Sequence, residues 1–273
     1  MDIGQIYHIC VDRLAEFVAS VGYSKVVLGL SGGIDSSLVA VMAVDALGPE
    51  NVVGILLPGP FSSDHSIRDA EQLANNLEIS WDMVSIVSAY DEFAKAIAPL
   101  CPSDSFMGIA SENTQARCRM VVLMALSNAN GWMMLNTGNK SEAYMGYSTL
   151  YGDTAGAFAP IGGIYKTDVY RLAYWRNEQA EKEGLIPPIP HSVLVKPPSA
   201  ELAPGQEDEK SLGVDYATLD RILKAYYEEG QEVAELIAAG FDPEQVASVI
   251  ERAEAYAFKR ALEPPYPDDR FYA

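Results

Sequence analysis

The sequence predicts an α/β fold, a doubly wound parallel sheet with extra C-terminal helices. Three observations predict it. Short apolar runs alternate with amphipathic stretches from residue 2 to about residue 140, the pattern of repeated strand–helix units and so of a parallel sheet covered on both faces. The first of these runs, Val26-Val27-Leu28-Gly29-Leu30, feeds directly into a glycine pair and then a Val/Ala-rich stretch, a strand–turn–helix unit. From residue 215 onward only helical patterns remain.

In chain order, residues 2–22 read as an amphipathic helix, because Ile6, Ile9, Cys10, Phe17 and Val21 recur close to helical spacing. Residues 26–30 form the first strand and 36–46 the helix after it. Residues 52–57 form a second strand ended by Pro58, which cannot donate to a ladder. A helix over 66–76, a weaker strand over 81–87 and a helix over 90–98 follow. Beyond Pro99 and Pro102 comes a long helix from residue 112 to about 128, with Ser111 as its N-cap. Residues 132–135 supply a fourth strand, and a short helix begins near Lys140. Residues 151–203 are rich in Gly and Pro, interrupted by one helix from Asp168 to about Glu183. Pro187-Pro188, Pro190 and Pro197-Pro198 exclude regular helix around them. The acidic run Glu207-Asp208-Glu209 reads as a solvated loop, and three helical patterns follow Asp215. No internal repeat occurs, and the length fits one domain over residues 1–273.

Apolar residues make up 49% of the chain and charged residues 21%, a composition that supports a sizeable core. The net charge of −19 disfavours nucleic acid and anionic membranes as partners, although a few local cations can still hold an anionic small molecule. Cys10, Cys101 and Cys118 show no Cys-x-x-Cys spacing and His8, His65 and His191 stand apart, so neither a disulfide frame nor a zinc site is expected. No apolar run reaches membrane-spanning length, and no basic region precedes a greasy stretch at the start; a cytoplasmic location is expected.

The chemistry-bearing segment is Ser31-Gly32-Gly33-Ile34-Asp35-Ser36-Ser37. It aims backbone N–H groups, serine hydroxyls and a helix N-terminus at one point, which suits a phosphate. It lacks the Gly-Lys-Ser/Thr of a Walker A loop, and Asp35 would repel bare phosphate unless a divalent cation lay between them. The reading is therefore pyrophosphate with Mg²⁺; the same residues would also cap a helix with no ligand at all. The segment Leu135-Asn136-Thr137-Gly138-Asn139 likewise follows a strand, at the carboxyl end where ligands bind such sheets. Glu142 just beyond it is a second Mg²⁺ carboxylate beside Asp35, or simply an acid in a helical first turn. In Glu112-Asn113-Thr114-Gln115-Ala116-Arg117-Cys118-Arg119, Asn113 and Arg117 share a helix face and can fix a carboxylate or ribose-phosphate; alternatively Arg117 and Arg119 are surface charges paired with Glu112. Lys166 is placed to stabilise charge on a transferred phosphorus, and Asp153 to take a proton from an attacking amine.

Taken together, from about residue 25 to residue 259, these segments resemble the NAD synthetase family of ATP-pyrophosphatase-loop amidotransferases, whose sheet is of the adenine-nucleotide alpha-hydrolase type. Residues 31–37 indicate only that superfamily. More specific are Glu112 to Arg117, Thr137 to Glu142, Gly146-Tyr147-Ser148-Thr149-Leu150-Tyr151-Gly152-Asp153, Pro160 with Lys166-Thr167, and Pro198-Ser199-Ala200-Glu201-Leu202. The resemblance implies ATP-dependent amidation of nicotinic acid adenine dinucleotide: its carboxylate attacks the α-phosphorus of ATP, pyrophosphate leaves, and ammonia displaces AMP from the acyl-adenylate. It implies that Ser31, Gly32, Gly33, Asp35, Ser36, Ser37, Thr137, Lys166 and Ser199 bind ATP, and that Asp35 and Glu142 hold Mg²⁺. Asn113, Arg117 and Lys259 match dinucleotide contacts, and Asp153 and Lys166 are the catalytic candidates. A homodimer whose interface helps build the dinucleotide site is implied as well.

Three positions depart from the stand-alone ammonia-dependent pattern, which usually has lysine at Leu150, an acid at Ala157 and histidine at Phe258. Residues 149–160 and 60–66 look closer to the synthetase half of glutamine-dependent members, yet thirty residues before Ser31 are too few for a glutaminase domain. The expectation is free ammonia, or a separate glutaminase that feeds this chain. A sister adenylating amidotransferase would keep the loop at Ser31 but leaves Glu112 to Arg117 and Gly146 to Asp153 unexplained. A non-catalytic nucleotide-binding module predicts loss of a metal carboxylate or the lysine, whereas Asp35, Glu142 and Lys166 are all present.

Overall fold

The computed structural model describes residues 1–102 and 106–272. Helix α1 (Ile3–Ser20) is followed by β1 (Val26–Gly29), α2 (Ile34–Leu47), β2 (Val52–Leu56), α3 (Asp64–Asn76), β3 (Ser80–Met83) and α4 (Val87–Ile97). Next come α5 (Ile109–Asn130), β4 (Met133–Met134), α6 (Lys140–Met145), α7 (Lys166–Lys182) and α8 (His191–Val195). The chain closes with α9 (Asp208–Leu212), α10 (Tyr216–Leu223), a π-helical turn at Lys224–Glu228, α11 (Val233–Ala238), α12 (Pro243–Ala255) and α13 (Ala257–Arg260).

The strands form one sheet in the order β3-β2-β1-β4, with every pairing parallel. The two-residue β4 is extended by backbone bonds on both sides: Leu135 donates to Val27 at 2.9 Å, and Ala157 donates to Met134 at 2.8 Å. Alternation along β1 and β2 shows why both faces are covered. Val26, Leu28, Val52 and Leu56 enter a core with Leu14 of α1, Leu38 and Met42 of α2 and Leu172 of α7. Val27, Val53 and Ile55 enter the opposite core with Tyr90 of α4 and Cys118 and Leu123 of α5. A third cluster gathers Met145, Tyr165, Leu219, Ile222, Leu236, Val246 and Val249 from α6, α10, α11, α12 and the residue preceding α7.

Several expectations are corrected. The long helix starts at Ile109 after Gly108, so Ser111 lies inside it; its hydroxyl meets that of Tyr90 at 2.6 Å instead of capping. The weak strand ends at Met83, and Val87 already belongs to α4. A helix of five residues, α8, does fit between Pro190 and Pro197, since Pro190 sits at its N-cap, where no intrahelical N–H is needed. Asp208 is buried at the start of α9, where its carboxylate accepts the Ala200 N–H at 3.1 Å, so the acidic run is not a solvated loop.

Candidate active site

Because β1 lies between β2 and β4, the strand order reverses beside it, and the loops leaving β1 and β4 open one crevice at the carboxyl edge of the sheet. The first loop is tight. Gly32 has φ +75°, and a Cβ there would lie 2.1 Å from the backbone oxygen of Ser66, so no side chain fits. The hydroxyls of Ser31 and Ser36 are 2.9 Å apart, and Ser37 donates to the Gly33 carbonyl at 2.8 Å. Gly33 is the N-cap of α2 and no side chain caps that helix, so Asp35 and Ser36 are not used for capping.

Asp35 faces the other loop instead. Its Oδ1 accepts from Asn139 Nδ2 at 2.8 Å and its Oδ2 from Lys166 Nζ at 2.5 Å; the same ammonium reaches Glu142 Oε1 at 3.1 Å. Lys166 opens α7 and is fully buried. Asn139 is the N-cap of α6, its Oδ1 accepting the Glu142 N–H at 3.1 Å, so one amide both starts a helix and grips Asp35. Burial pushes the Glu142 carboxyl up to about 8, with Asp35 and Asp208 adding to the rise and Lys166 opposing it. Burial alone would lower Lys166, but Asp35 and Glu142 hold its ammonium well above the ordinary value. Asp35 and Glu142 thus face one cation position, held by the Lys166 ammonium, with hard oxygen donors of the kind that would suit Mg²⁺.

These groups border a cavity of about 670 Å³. Ser31, Gly33, Asp35 and Ser36 line it from the first loop, and Thr137, Glu142 and Lys166 from the far side of the crevice. Asp153 and Ser199 line it from the irregular segments. Burial raises the Asp153 carboxyl, although the Thr149 N–H donates to it. The Ser199 hydroxyl donates to the Gln206 carbonyl at 2.5 Å and so closes its own loop. Gly32 and Ser37 lie behind the lining, one against Ser66 and the other fully buried.

Asn113, Arg117 and Lys259 do not line the cavity. They converge elsewhere, on residues 146–150: Arg117 donates to the Leu150 carbonyl at 3.2 Å, Thr149 donates to Asn113 at 2.8 Å, and Lys259 donates to the carbonyls of Gly146 and Ser148 at 2.8 and 2.7 Å. Neither Arg117 nor Arg119 pairs with Glu112: the first is exposed, and the second turns inward and donates to the Leu57 carbonyl at 3.0 Å. Of the three departing positions, Leu150 lends only its carbonyl, Ala157 is strand-like beside β4, and Phe258 is exposed on α13.

Sequence reasoning gave no separate role to Asn136, which is buried and donates to the carbonyls of Asp153 and Ala155 at 2.7 and 2.8 Å, holding Asp153's loop at the cavity. It also missed Glu201, whose carboxylate accepts from the Ser63 and Ser66 hydroxyls at 2.7 and 2.8 Å and ties the loop around Ser199 to the start of α3. The signal for Asn136 was its place after a strand; Glu201 stood in the segment Pro198 to Leu202 that carries the family resemblance, but nothing there assigned it Ser63 and Ser66 as partners.

Residues 6–263 match the family model described as NAD synthase. Among curated proteins, a glutamine-dependent NAD(+) synthetase of Thermotoga maritima is 45% identical over 260 residues, covering 94% of this chain and 43% of that protein. The chain spans about half the length of the curated relatives it matches, between 43% and 48%. Among solved structures, an NH3-dependent NAD synthetase from Campylobacter jejuni aligns with TM-score 0.73 and 31% identity over 95% of this chain and 96% of that one. An NMN synthetase from Francisella tularensis aligns with TM-score 0.78 and 27% identity over the same shares.

Proposed function

The chain belongs to the NAD synthase family, and from that premise we propose that it amidates nicotinic acid adenine dinucleotide to NAD⁺ at the expense of ATP, with ammonia as the nitrogen nucleophile. The observation that carries this reading is the meeting of the Ser31 loop, Asp35, Glu142 and Lys166 at the point where the strand order reverses. A carboxylate is a poor electrophile, so its amidation needs a leaving group; attack on the α-phosphorus of ATP supplies one, with pyrophosphate departing and an acyl-adenylate remaining. Ser31, Gly33 and Ser36 cradle the departing pyrophosphate through N–H groups and hydroxyls, with Gly32 and Ser37 fixing the loop behind them. The Lys166 ammonium stabilises the negative charge that develops on the oxygens of the transferred phosphorus, Thr137 and Ser199 contact ATP, and Asp153, raised by burial, takes the proton from ammonium. Asp35 and Glu142 are the groups that would hold Mg²⁺, which would supply counter-charge for the polyphosphate.

The second substrate is assigned to Asn113, Arg117 and Lys259. Ile109, Asn113, Arg117 and Val121 are four apart along α5 and share one ridge, on which Ile109 and Val121 are 75% and 58% exposed. Packing of a second copy on that ridge would bury its apolar ends and complete the dinucleotide site, so a homodimer is part of the reading. Residues 1–273 act as one synthetase domain, because Tyr165 enters the C-terminal cluster while Val169 and Leu172, in the helix that follows it, enter the main core. Among the described residues no helix is long and apolar enough to cross a membrane; a cytoplasmic location is part of the proposed reading. A separate glutaminase has no support from the relatives, whose names attach glutamine dependence to the matched chains themselves.

The likeness to an NMN synthetase favours a second reading, in which the same chemistry acts on the mononucleotide. One assay separates the two. The chain is supplied with Mg-ATP, ammonium or glutamine, and either nicotinic acid adenine dinucleotide or nicotinic acid mononucleotide, with ¹⁸O in the carboxylate. NAD⁺, pyrophosphate and ¹⁸O-labelled AMP from ammonium and the dinucleotide are expected. NMN alone would move the assignment to the mononucleotide. No amide from either acid with bound ATP would overturn the synthetase reading, and unlabelled AMP would overturn the acyl-adenylate.

A further inference from the structure

Three lysine or arginine side chains line the cavity, and two of them are neutralised: Lys166 by Asp35 and Glu142, and Lys196 by Asp69 at 2.8 Å. Arg119 is the third. Among the described residues it makes no ion pair within 4.0 Å. Two residues beyond Arg117 on α5, it is turned about 200° around the helix from that side chain and faces inward. Its Nε is spent on the Leu57 carbonyl just past β2, which fixes the plane of the guanidinium; the side chain lines the cavity, with Nη2 lying against Gly59.

The surroundings are shaped around that fork. Gly59 carries no side chain where a Cβ would stand 2.8 Å from Arg119 Nη2 and 3.2 Å from Gln115 Oε1. Gln115, one turn earlier on the same face, is fully buried; its amide nitrogen donates to the Leu202 carbonyl at 2.9 Å, and its Oε1 has no partner among the described residues. Asp153 and Glu201 both act on Arg119 electrostatically, but neither reaches it within ion-pair distance, and Glu201 is committed to Ser63 and Ser66. A half-buried guanidinium with acids near it but none in contact carries a desolvation cost that a bound anion recovers, and a planar fork matches the two oxygens of a phosphate or carboxylate.

We propose that Arg119 is an oxyanion anchor of the cavity, its terminal nitrogens holding a phosphate or carboxylate group of one of the two nucleotide substrates. This rests on the reading that the cavity takes ATP and a second nucleotide acid. It adds a contact that the Ser31 loop and Arg117 do not supply, on the β2 side of the crevice.

The test is equilibrium binding of Mg-ATP and of nicotinic acid adenine dinucleotide, each alone, to the wild-type chain and to Arg119→Gln and Arg119→Lys, with melting temperatures recorded. Arg119→Gln is expected to weaken one ligand about 30-fold and leave the other within about twofold; the weakened ligand identifies the source of the oxyanion. Arg119→Lys keeps the charge but loses the fork, so a loss of about fivefold in the same ligand is expected, and it decides the matter alone where Arg119→Gln does not fold. Both ligands within about twofold of wild type in every folded variant would overturn the proposal. So would equal weakening of both together with a lowered melting temperature, which assigns Arg119 to support of Leu57. A wild-type chain that binds neither nucleotide would overturn the proposed function, and this inference with it.

Discussion

At the mouth of β1, Asp35, Glu142 and Lys166 come from α2, α6 and α7 and are paired with one another before any ligand arrives. Around residues 146–150, Asn113, Arg117 and Lys259 come from α5 and α13 and are occupied with a neighbouring hydroxyl and backbone carbonyls. In the first group Lys166 is buried, Asp35 and Glu142 are half-buried, and the three are ion-paired, so its electrostatics exist in the single chain. The second lies beside an exposed apolar ridge, and its side chains grip a loop. On the proposed function, the difference is that one chain would organise the phosphate chemistry by itself, whereas recognition of the second substrate would wait for the surface of a second copy.

The largest expected effect breaks the first group. Lys166→Ala removes the cation shared by Asp35 and Glu142, and pyrophosphate release should fall by about a thousandfold or more. Release within tenfold of wild type would dissolve the contrast between the two regions. Asp35→Asn should act in the same direction without unfolding the chain, since position 35 is half-buried and the new amide oxygen can still accept from Asn139 Nδ2.

Two glycines sharpen the comparison. Gly32→Ala meets the Ser66 backbone oxygen at 2.1 Å, and Gly146→Ala, with φ +58°, meets the Tyr256 ring at 2.3 Å. Each pays about 1–2 kcal/mol for the backbone conformation alone. A backbone carbonyl cannot step aside as a side chain can, so activity should drop about a hundredfold for the first and under tenfold for the second at similar loss of melting temperature. The reverse ranking would mean that residues 146–150 are the stiffer part.

Arg117→Ala should raise KM for the dinucleotide about tenfold and leave KM for ATP unchanged. Parallel changes in both constants would count against separate subsites. The smallest effect concerns Glu263, which lines the cavity near Asp153 and is pushed up to about 7, by burial first and by Asp153 second. Since the folded chain favours its neutral form, the stability it contributes is present below about pH 4.5 and lost as pH rises through 7. The advantage of wild type over Glu263→Gln should therefore shrink by about 1–2 kcal/mol between pH 5 and 8, read from denaturant melts. A difference flat with pH would show that Glu263 titrates normally.

Much of the fold was legible because its determinants are local. Val26 to Leu28 and Val52 to Leu56 are continuous apolar runs that only strands buried on both faces accommodate, and the Ser31 loop follows from Gly32, which no other residue replaces. Placement at the cavity was legible where it depends on neighbours in sequence, as for Ser31 and Ser36, whereas Ser37 lies buried behind the lining. It was not legible where a role depends on distance through space. Asn139 reads as a helix cap, and its grip on Asp35 spans 104 positions. Arg117 and Arg119 look equivalent in sequence; helical phase, with Gln115, Arg119 and Leu123 on one face, is the feature that separates them.

By itself the sequence determined the strand–helix alternation, the glycine turn after β1 and the chemical kinds of group at hand, since dihedral freedom, periodicity and titratable chemistry reside in single residues and short spacings. Only the tertiary structure decided that Lys166 stands between Asp35 and Glu142, that Arg119 and not Arg117 enters the cavity, and that Asp208 is buried. Those outcomes depend on which helix faces the sheet and how far separate loops travel to meet, and no local pattern encodes that distance.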